Sequence, residues 1–415
     1  MTQPRVNPRE RQSSQQPPSR AQGTQHIPAR AAPTAVGALW RFALDELPKL
    51  NRDVRDGLTR TEVLLGRARL VLMHVETVMP FLEAADREAL FLPLGFIAAS
   101  AERHWQVAGH QPGEVYTQLP GLEAALVTAA GTGRVPYLTA YDLWLDNTVP
   151  RVVFLDDSAH EYFYESVGTQ NTLHTWANHS LGTVVTGEAV PGTPQCLVMM
   201  QMAASAMTLS RLLYQRMTNG ISPQGFTEFR SWLPPTVVGG VRYPGPNAAW
   251  LHEMVRTDLL FGTADDAYPR DTVRPTLHLF SAEGQRVLAD DLWASQTVVD
   301  VFATALGFPD AHALAAAPDE QVAEAVGDAS RITRETLEAL VATWKGIVGA
   351  SAAHWAQIQR CLIRHVFTAE ELAAMTVKPS AGTGGHSHAD TWAIHVMRKN
   401  CPPVLKIAAA LQSRG

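Results

Sequence analysis

The chain has 415 residues, 46% of them hydrophobic and 18% charged, an ordinary globular balance with enough length for one large or two ordinary domains. A formal charge of −6 and a pI near 6.2 argue against the basic face that a nucleic-acid binder needs to displace counterions. Cys196, Cys361 and Cys401 are odd in number and far apart, which suggests neither a disulfide framework nor a thiolate metal site and fits a reducing cytoplasm.

Residues 1–35 are rich in Pro, Gln, Ser and Arg, with Glu10 the only acid, and read as a disordered basic tail. The tail lacks a signal-peptide apolar segment, and its six prolines oppose the amphipathic helix of a transit peptide. No later run approaches the roughly 20 apolar residues of a membrane span, so no membrane partner is expected. From Ala35 to Gly109 apolar residues recur at helical spacing: Leu39, Phe42, Leu44 and Leu47, then Val63 to Phe81, then Leu90 to Val107. A further helix is predicted over Leu122 to Ala130, and one short strand at Arg151 to Leu155. The expected class is all-α, with residues 36–150 as a small helical domain and 151–415 as a larger one. The boundary is placed where Pro150 and Asp156-Asp157 interrupt the pattern.

Ser158 to Leu181 reads as a helix on which Tyr162 and Ser166, four residues apart, share a face with Leu173. Packing and a backbone hydrogen bond explain such a pair more often than a site does. Gln195 to Tyr214 reads as a long buried helix whose Met199, Met200, Met202 and Met207 suit an adaptable core. Ser222-Pro223 starts a helix carrying Phe226 and Arg230, candidates for a pocket wall and a carboxylate clamp, since a guanidinium matches a carboxylate with two parallel hydrogen bonds. His174, His179, Asp258 and Asp265-Asp266 have no catalytic spacing and are expected on solvated faces.

From Leu337 to Leu362 apolar residues again recur three or four apart, and His354 sits beside that face, one turn after the small residues Ala350 to Ala353. Small neighbours leave room for a flat ligand such as a porphyrin, and a haem iron needs one axial histidine from the protein. A core histidine is the plainer alternative, and His365 is a second axial candidate. Gly382-Thr383-Gly384-Gly385 presents several N–H groups without Cβ obstruction, suited to wrapping a carboxylate, although a plain turn has the same composition. His386 and His388 adjoin it and are placed against substrate, propionate or water. Phosphate-loop, nucleophile-elbow and H-E-x-x-H motifs are absent from the sequence.

The order and spacing of His354 and the GTGG run resemble the C-terminal half of the haem-dependent indoleamine and tryptophan dioxygenase superfamily. Residues 221–262, with ISPQGF, VGGVRYPGP and a final Gly, are similar to the monodechloroaminopyrrolnitrin synthase family within it, as are His110–Glu123, Glu165-Ser166-Val167 and Leu47–Arg52. The similarity runs from about residue 40 to 400. It implies a small N-terminal helical domain and a haem-binding domain, with His354 as proximal ligand of haem b, Tyr162 and Ser166 on the distal face, and the GTGG loop over the substrate. Dioxygen would be co-substrate, the substrate an indole or tryptophan-derived aromatic molecule, the outcome a ring rearrangement or oxidation, and an external electron donor a partner of a monomer or homodimer. A tryptophan dioxygenase yielding N-formylkynurenine, a haem-binding sensor and a cofactor-free helical module are the alternatives. Between Pro223 and the arginine this chain is one residue shorter than its relatives, a turn of about 100° on a helix, which would direct Arg230 to a propionate or to solvent.

Overall fold

Apolar residues spaced three and four apart become helices along most of the chain in the computed structural model, which describes residues 35–131, 134–148, 150–156, 158–292, 296–363 and 388–413. The N-terminal part holds α1 (Ala35–Arg41), α2 (Leu47–Arg55), α3 (Thr61–Val78), α4 (Ala84–Ala89), α5 (Phe91–Val107) and α6 (Leu122–Ala130). Then come α7 (Ser158–Val185), α8 (Pro194–Gly220), α9 (Pro223–Ser231), α10 (His252–Phe261), the single turn α11 (Arg274–Thr276) and α12 (Ala282–Leu292). The rest comprises α13 (Val298–Ala305), α14 (Ala311–Ala316), α15 (Asp319–Asp328), α16 (Arg331–Ile358), α17 (His388–Lys399) and α18 (Pro402–Gln412). The all-α expectation is met. The tail, His365, the Gly382-Thr383-Gly384-Gly385 run, His386 and the side chain of His388 lie outside what is described.

Helix starts follow local chemistry. Thr193 accepts from the Cys196 N–H ahead of Pro194, and Ser222 accepts from the Gly225 N–H ahead of Pro223. In both, a hydroxyl caps a free N–H while proline occupies the turn where its missing donor costs nothing. The strand expected at Arg151 to Leu155 does not form. That stretch is irregular, and Asn147 satisfies it by exchanging hydrogen bonds with both the N–H and the C=O of Val152. Instead β1 (Thr236–Val238) and β2 (Val241–Tyr243) form an antiparallel hairpin. Its two-residue turn is Gly239-Gly240, at φ of 60° and 76°, the left-handed values such a turn demands.

One apolar cluster joins α1, α3, α5 and α6 to Phe154, Phe163, Phe229 and Trp232, so buried packing continues across residue 150. Asn51 of α2 reinforces that junction by donating to the Phe154 carbonyl at 2.9 Å. A second cluster is built from α7, α8, α13, α15, α16 and α18. At its centre α8 lies between α7 and α16. Contrary to the sequence reading, α8 is long and apolar enough to cross a membrane by length and composition alone. Its alanines and methionines raise the apolar content of a helix that here packs against two others.

Glycine sets the spacing of α8 and α16. A Cβ at Gly346 would lie 2.6 Å from Met207 Cβ and 2.9 Å from the Met207 carbonyl carbon, and one at Gly349 would lie 2.4 Å from Arg211 Cδ. The Met207 carbonyl carbon cannot swing aside, so a methyl group at Gly346 forces the helices apart. Gly346→Ala is expected to destabilise the protein by about 1–3 kcal/mol even though alanine is the better helix former. Urea unfolding of the variant checks this, and an unchanged or raised midpoint would contradict it.

Candidate functional site

A cavity of about 500 Å³ opens between α7, α8, α9, α10, α16 and α17. On α16 the residues Ser351, His354, Gln357 and Ile358 recur at helical spacing and form one wall. From α9, Phe226 and Arg230 form another, one helical turn apart, with the guanidinium carbon 5.7 Å from the Phe226 ring centre. His354 thus shares one cavity with Phe226 and Arg230, more than a hundred residues before it in sequence. The shortened spacing before Arg230 does not turn it out to solvent.

Tyr162 and Ser166 do not line it. The neighbouring positions Phe163, Val167 and Gln170 of α7 do, a face displaced by one residue from the expected one. Tyr162 packs instead against Gly220, where a Cβ would come within 3.2 Å of its ring, and Ser166 is buried in the helix packing. Because α7 is covered by α8 on one side and α10 on another, apolar residues occur nearly all round it, and sequence alone does not show which of them faces the cavity.

Two neighbouring elements are locked to each other at the site. After Ile358 the helix widens into a π-turn over Gln359–Ile363. There the Cys361 carbonyl accepts a hydrogen bond from Thr227 Oγ1 of α9 at 3.2 Å. The wall carrying Phe226 and Arg230 is therefore registered against the wall carrying His354.

Charge at the cavity is one-sided. Arg398 of α17 reaches it while gripping Asp258 of α10 through Nε and Nη2 at 2.8 and 2.6 Å, and the Asp258 side chain is fully buried. Burial works against the Arg398 cation, but Asp258 outweighs it and holds the guanidinium above its ordinary range. Asp258 was expected on a solvated face. It is the counter-ion of a buried pair, which sequence could not show because the partner lies 140 residues away. Arg230 has no carboxylate within reach among the described residues, and burial lowers its pKa to about 10, leaving it cationic at neutral pH. His354 also has no hydrogen-bond partner there; its ring lies 5.4 Å from that of Tyr214. Burial, then the Arg398 and Arg230 cations, push its imidazole down to about 4. The amide nitrogen of Gln357 and the indole nitrogen of Trp144, both on lining residues, likewise have no partner among the described residues.

The lining includes no Asp, Glu, Cys or Lys among the described residues, and no group of three His, Cys, Asp or Glu side chains there could hold a metal ion directly. Behind α10, His174 is also buried rather than solvated. It meets Thr257, which donates to Asn178, which in turn donates to Glu253. Burial tends to raise the Glu253 pKa, but the bonds from His252 and Asn178 prevail and hold it at about 2. This network fixes α10, whose Met254 and Val255 complete the wall. His179 and Asp265-Asp266 are exposed as expected.

No family model matches the chain, and no curated protein matches it.

A neutral His354 has a direct consequence. Its folded pKa of about 4 lies below the ordinary value of 6.5. The unfolded chain therefore takes up the proton first, and this residue's contribution to stability is lost as pH falls from 6.5 towards 4. In histidine-labelled protein, the His354 resonance identified by substitution is expected to stay in its neutral position from pH 8 down to about 5. Titration near 6.5 would contradict the burial described.

Proposed function

We propose that the chain is a haem-dependent oxygenase acting on a planar aromatic substrate that carries an anionic group. The observation that carries this reading is the unpartnered, neutral imidazole of His354 at the wall of a cavity whose described lining contains no carboxylate, thiol or amine. Apart from the His354 imidazole, the polar side chains of the described lining offer only hydroxyls, amides, indole N–H groups and two guanidinium groups, so redox chemistry there would need a group that the cavity binds. The residues fit a haem. His354, neutral at physiological pH, would hold the iron, the nearby Ala350, Ser351 and Ala353 are small, and the aromatic and aliphatic walls suit a flat apolar body. Bound there, haem would supply the redox chemistry with dioxygen that side chains cannot.

The protein's own contribution is binding and orientation. Arg230 neutralises one anionic end of a ligand by charge-assisted hydrogen bonds. Phe163 and Phe226, with ring centres 5.5 Å apart, present aromatic surface to a planar ring. Val167, Val255 and Ile358 exclude water, which strengthens the Arg230 interaction by lowering the local dielectric. Gln357 and Trp144 add donors, so a ligand rich in acceptors is favoured over one rich in donors. With Arg230 on the cavity, tryptophan itself remains among the candidate substrates beside modified indoles.

His354→Ala is expected to abolish stable haem incorporation on titration with ferric haem while leaving helical circular dichroism intact. A wild-type Soret band in the variant would remove His354 as ligand, and absence of any Soret band in the wild-type protein would remove the haem reading altogether. Arg230→Leu is expected to weaken binding of an indole carboxylate by about ten- to a hundredfold, the 1.5–3 kcal/mol of a lost charge-assisted bond. Its effect on the corresponding decarboxylated indole should be small. Spectral titration with both ligands, and an aerobic assay with reductant over an indole library, make the comparison.

A further inference from the structure

Away from the cavity, α8 exposes a stripe that its packing leaves uncovered among the described residues. Val198, Met202, Leu209 and Leu212 are 49%, 46%, 50% and 47% exposed, and Ser205 stands between the two pairs. The steps along this stripe are four, three, four and three residues, the spacing of a helix seam that meets another helix. No acidic residue occurs anywhere in α8, and its two basic ones, Arg211 and Arg216, lie beyond the centre of the stripe. The exposed face of α3 differs. Its Val63, Leu70 and Met73 are interleaved with Glu62, Arg67, Arg69 and Glu76, the mixture expected of a solvated helix.

The stripe is also symmetric along its own length. Val198 and Leu212 lie seven residues to either side of Ser205, with Met202 and Leu209 three and four residues away. We infer that two copies of this chain pair through α8, antiparallel about a two-fold axis at Ser205. This places Val198 against Leu212 of the second copy, Met202 against Leu209, and the small Ser205 where the helices approach most closely. A self-complementary patch is what a two-fold interface requires. Four half-exposed side chains per copy fall well short of the ~800 Å² per partner of a standard interface. The dimer is accordingly weak and reversible.

The register can be tested in the full chain. Val198 and Leu212 lie fourteen residues, about 21 Å, apart on one helix and cannot pair within a copy. Sedimentation velocity from about 1 to 200 µM should show concentration-dependent dimerisation of the wild-type protein. Val198→Lys and Leu212→Glu should each weaken it by at least tenfold, and the two together should restore it by bringing lysine and glutamate face to face across the axis. All four positions are half-exposed, so folding should survive, which circular dichroism checks. Ser205→Cys should form a disulfide-linked dimer under mild oxidation much faster than Thr128→Cys, on exposed α6 surface. A monomer throughout the concentration range, a double variant no better than either single one, or vesicle binding by α8 without dimerisation would each overturn the proposal.

Discussion

The backbone-to-backbone approach of α8 and α16 is the constraint on which the rest of the structure depends. Gly346 and Gly349 remove the side chains that would hold two long helices at ordinary separation, and Met207 and Arg211 fill the resulting space. Close packing of this kind is intolerant of added volume. It also determines what stands further along: His354 lies one to two turns beyond these glycines on α16, and Tyr214 and Met217 lie beyond Met207 on α8. Three cavity residues thus inherit their positions from two glycines that never touch the cavity.

Around that rail the polar interactions divide into those that hold the fold and those left facing inward. Asp258 is spent on Arg398 and on Thr263, whose hydroxyl donates to it at 2.8 Å, so a buried charge is fully answered. Glu253 is answered by Asn178 and His252. Arg230 is the exception among the described cavity charges, with a cation in a largely apolar setting and no internal anion. An unanswered charge that is largely withdrawn from water is costly in a protein that has no use for it. Its presence beside a neutral imidazole is what distinguishes this cavity from a packing defect.

Much of the helical fold was legible because it rests on local rules: three-and-four spacing, hydroxyl caps, and proline at helix starts. α6 begins and ends where its apolar spacing indicates, and Ser222-Pro223 opens α9 as read. The hairpin at Gly239-Gly240 was missed because three-residue strands are too short to show alternation. Within the cavity, Phe226 and Arg230 could be read as a pair because they sit one turn apart on a short helix with one covered face. On α7 the resemblance pointed to Tyr162 and Ser166, whereas Phe163 and Val167 line the cavity, and a helix covered on several sides does not announce which side is hollow. Arg398, Gln357 and Trp144 carry no sequence signal of their own. Each becomes meaningful only once tertiary contacts show which of its partners is present or missing.

The two sides of the cavity differ in how freely they can change. The α16 and α8 side is anchored by main chain, so a substitution there displaces whole helices. The facing side presents Phe226, Met254 and Val255 from shorter elements, where a changed side chain alters the shape of the hollow without moving its frame. Related chains descended from a common ancestor can therefore be expected to keep the glycines and the histidine together while diverging at α9 and α10. In such a lineage, ligand preference would drift on one wall while the opposite wall stayed fixed.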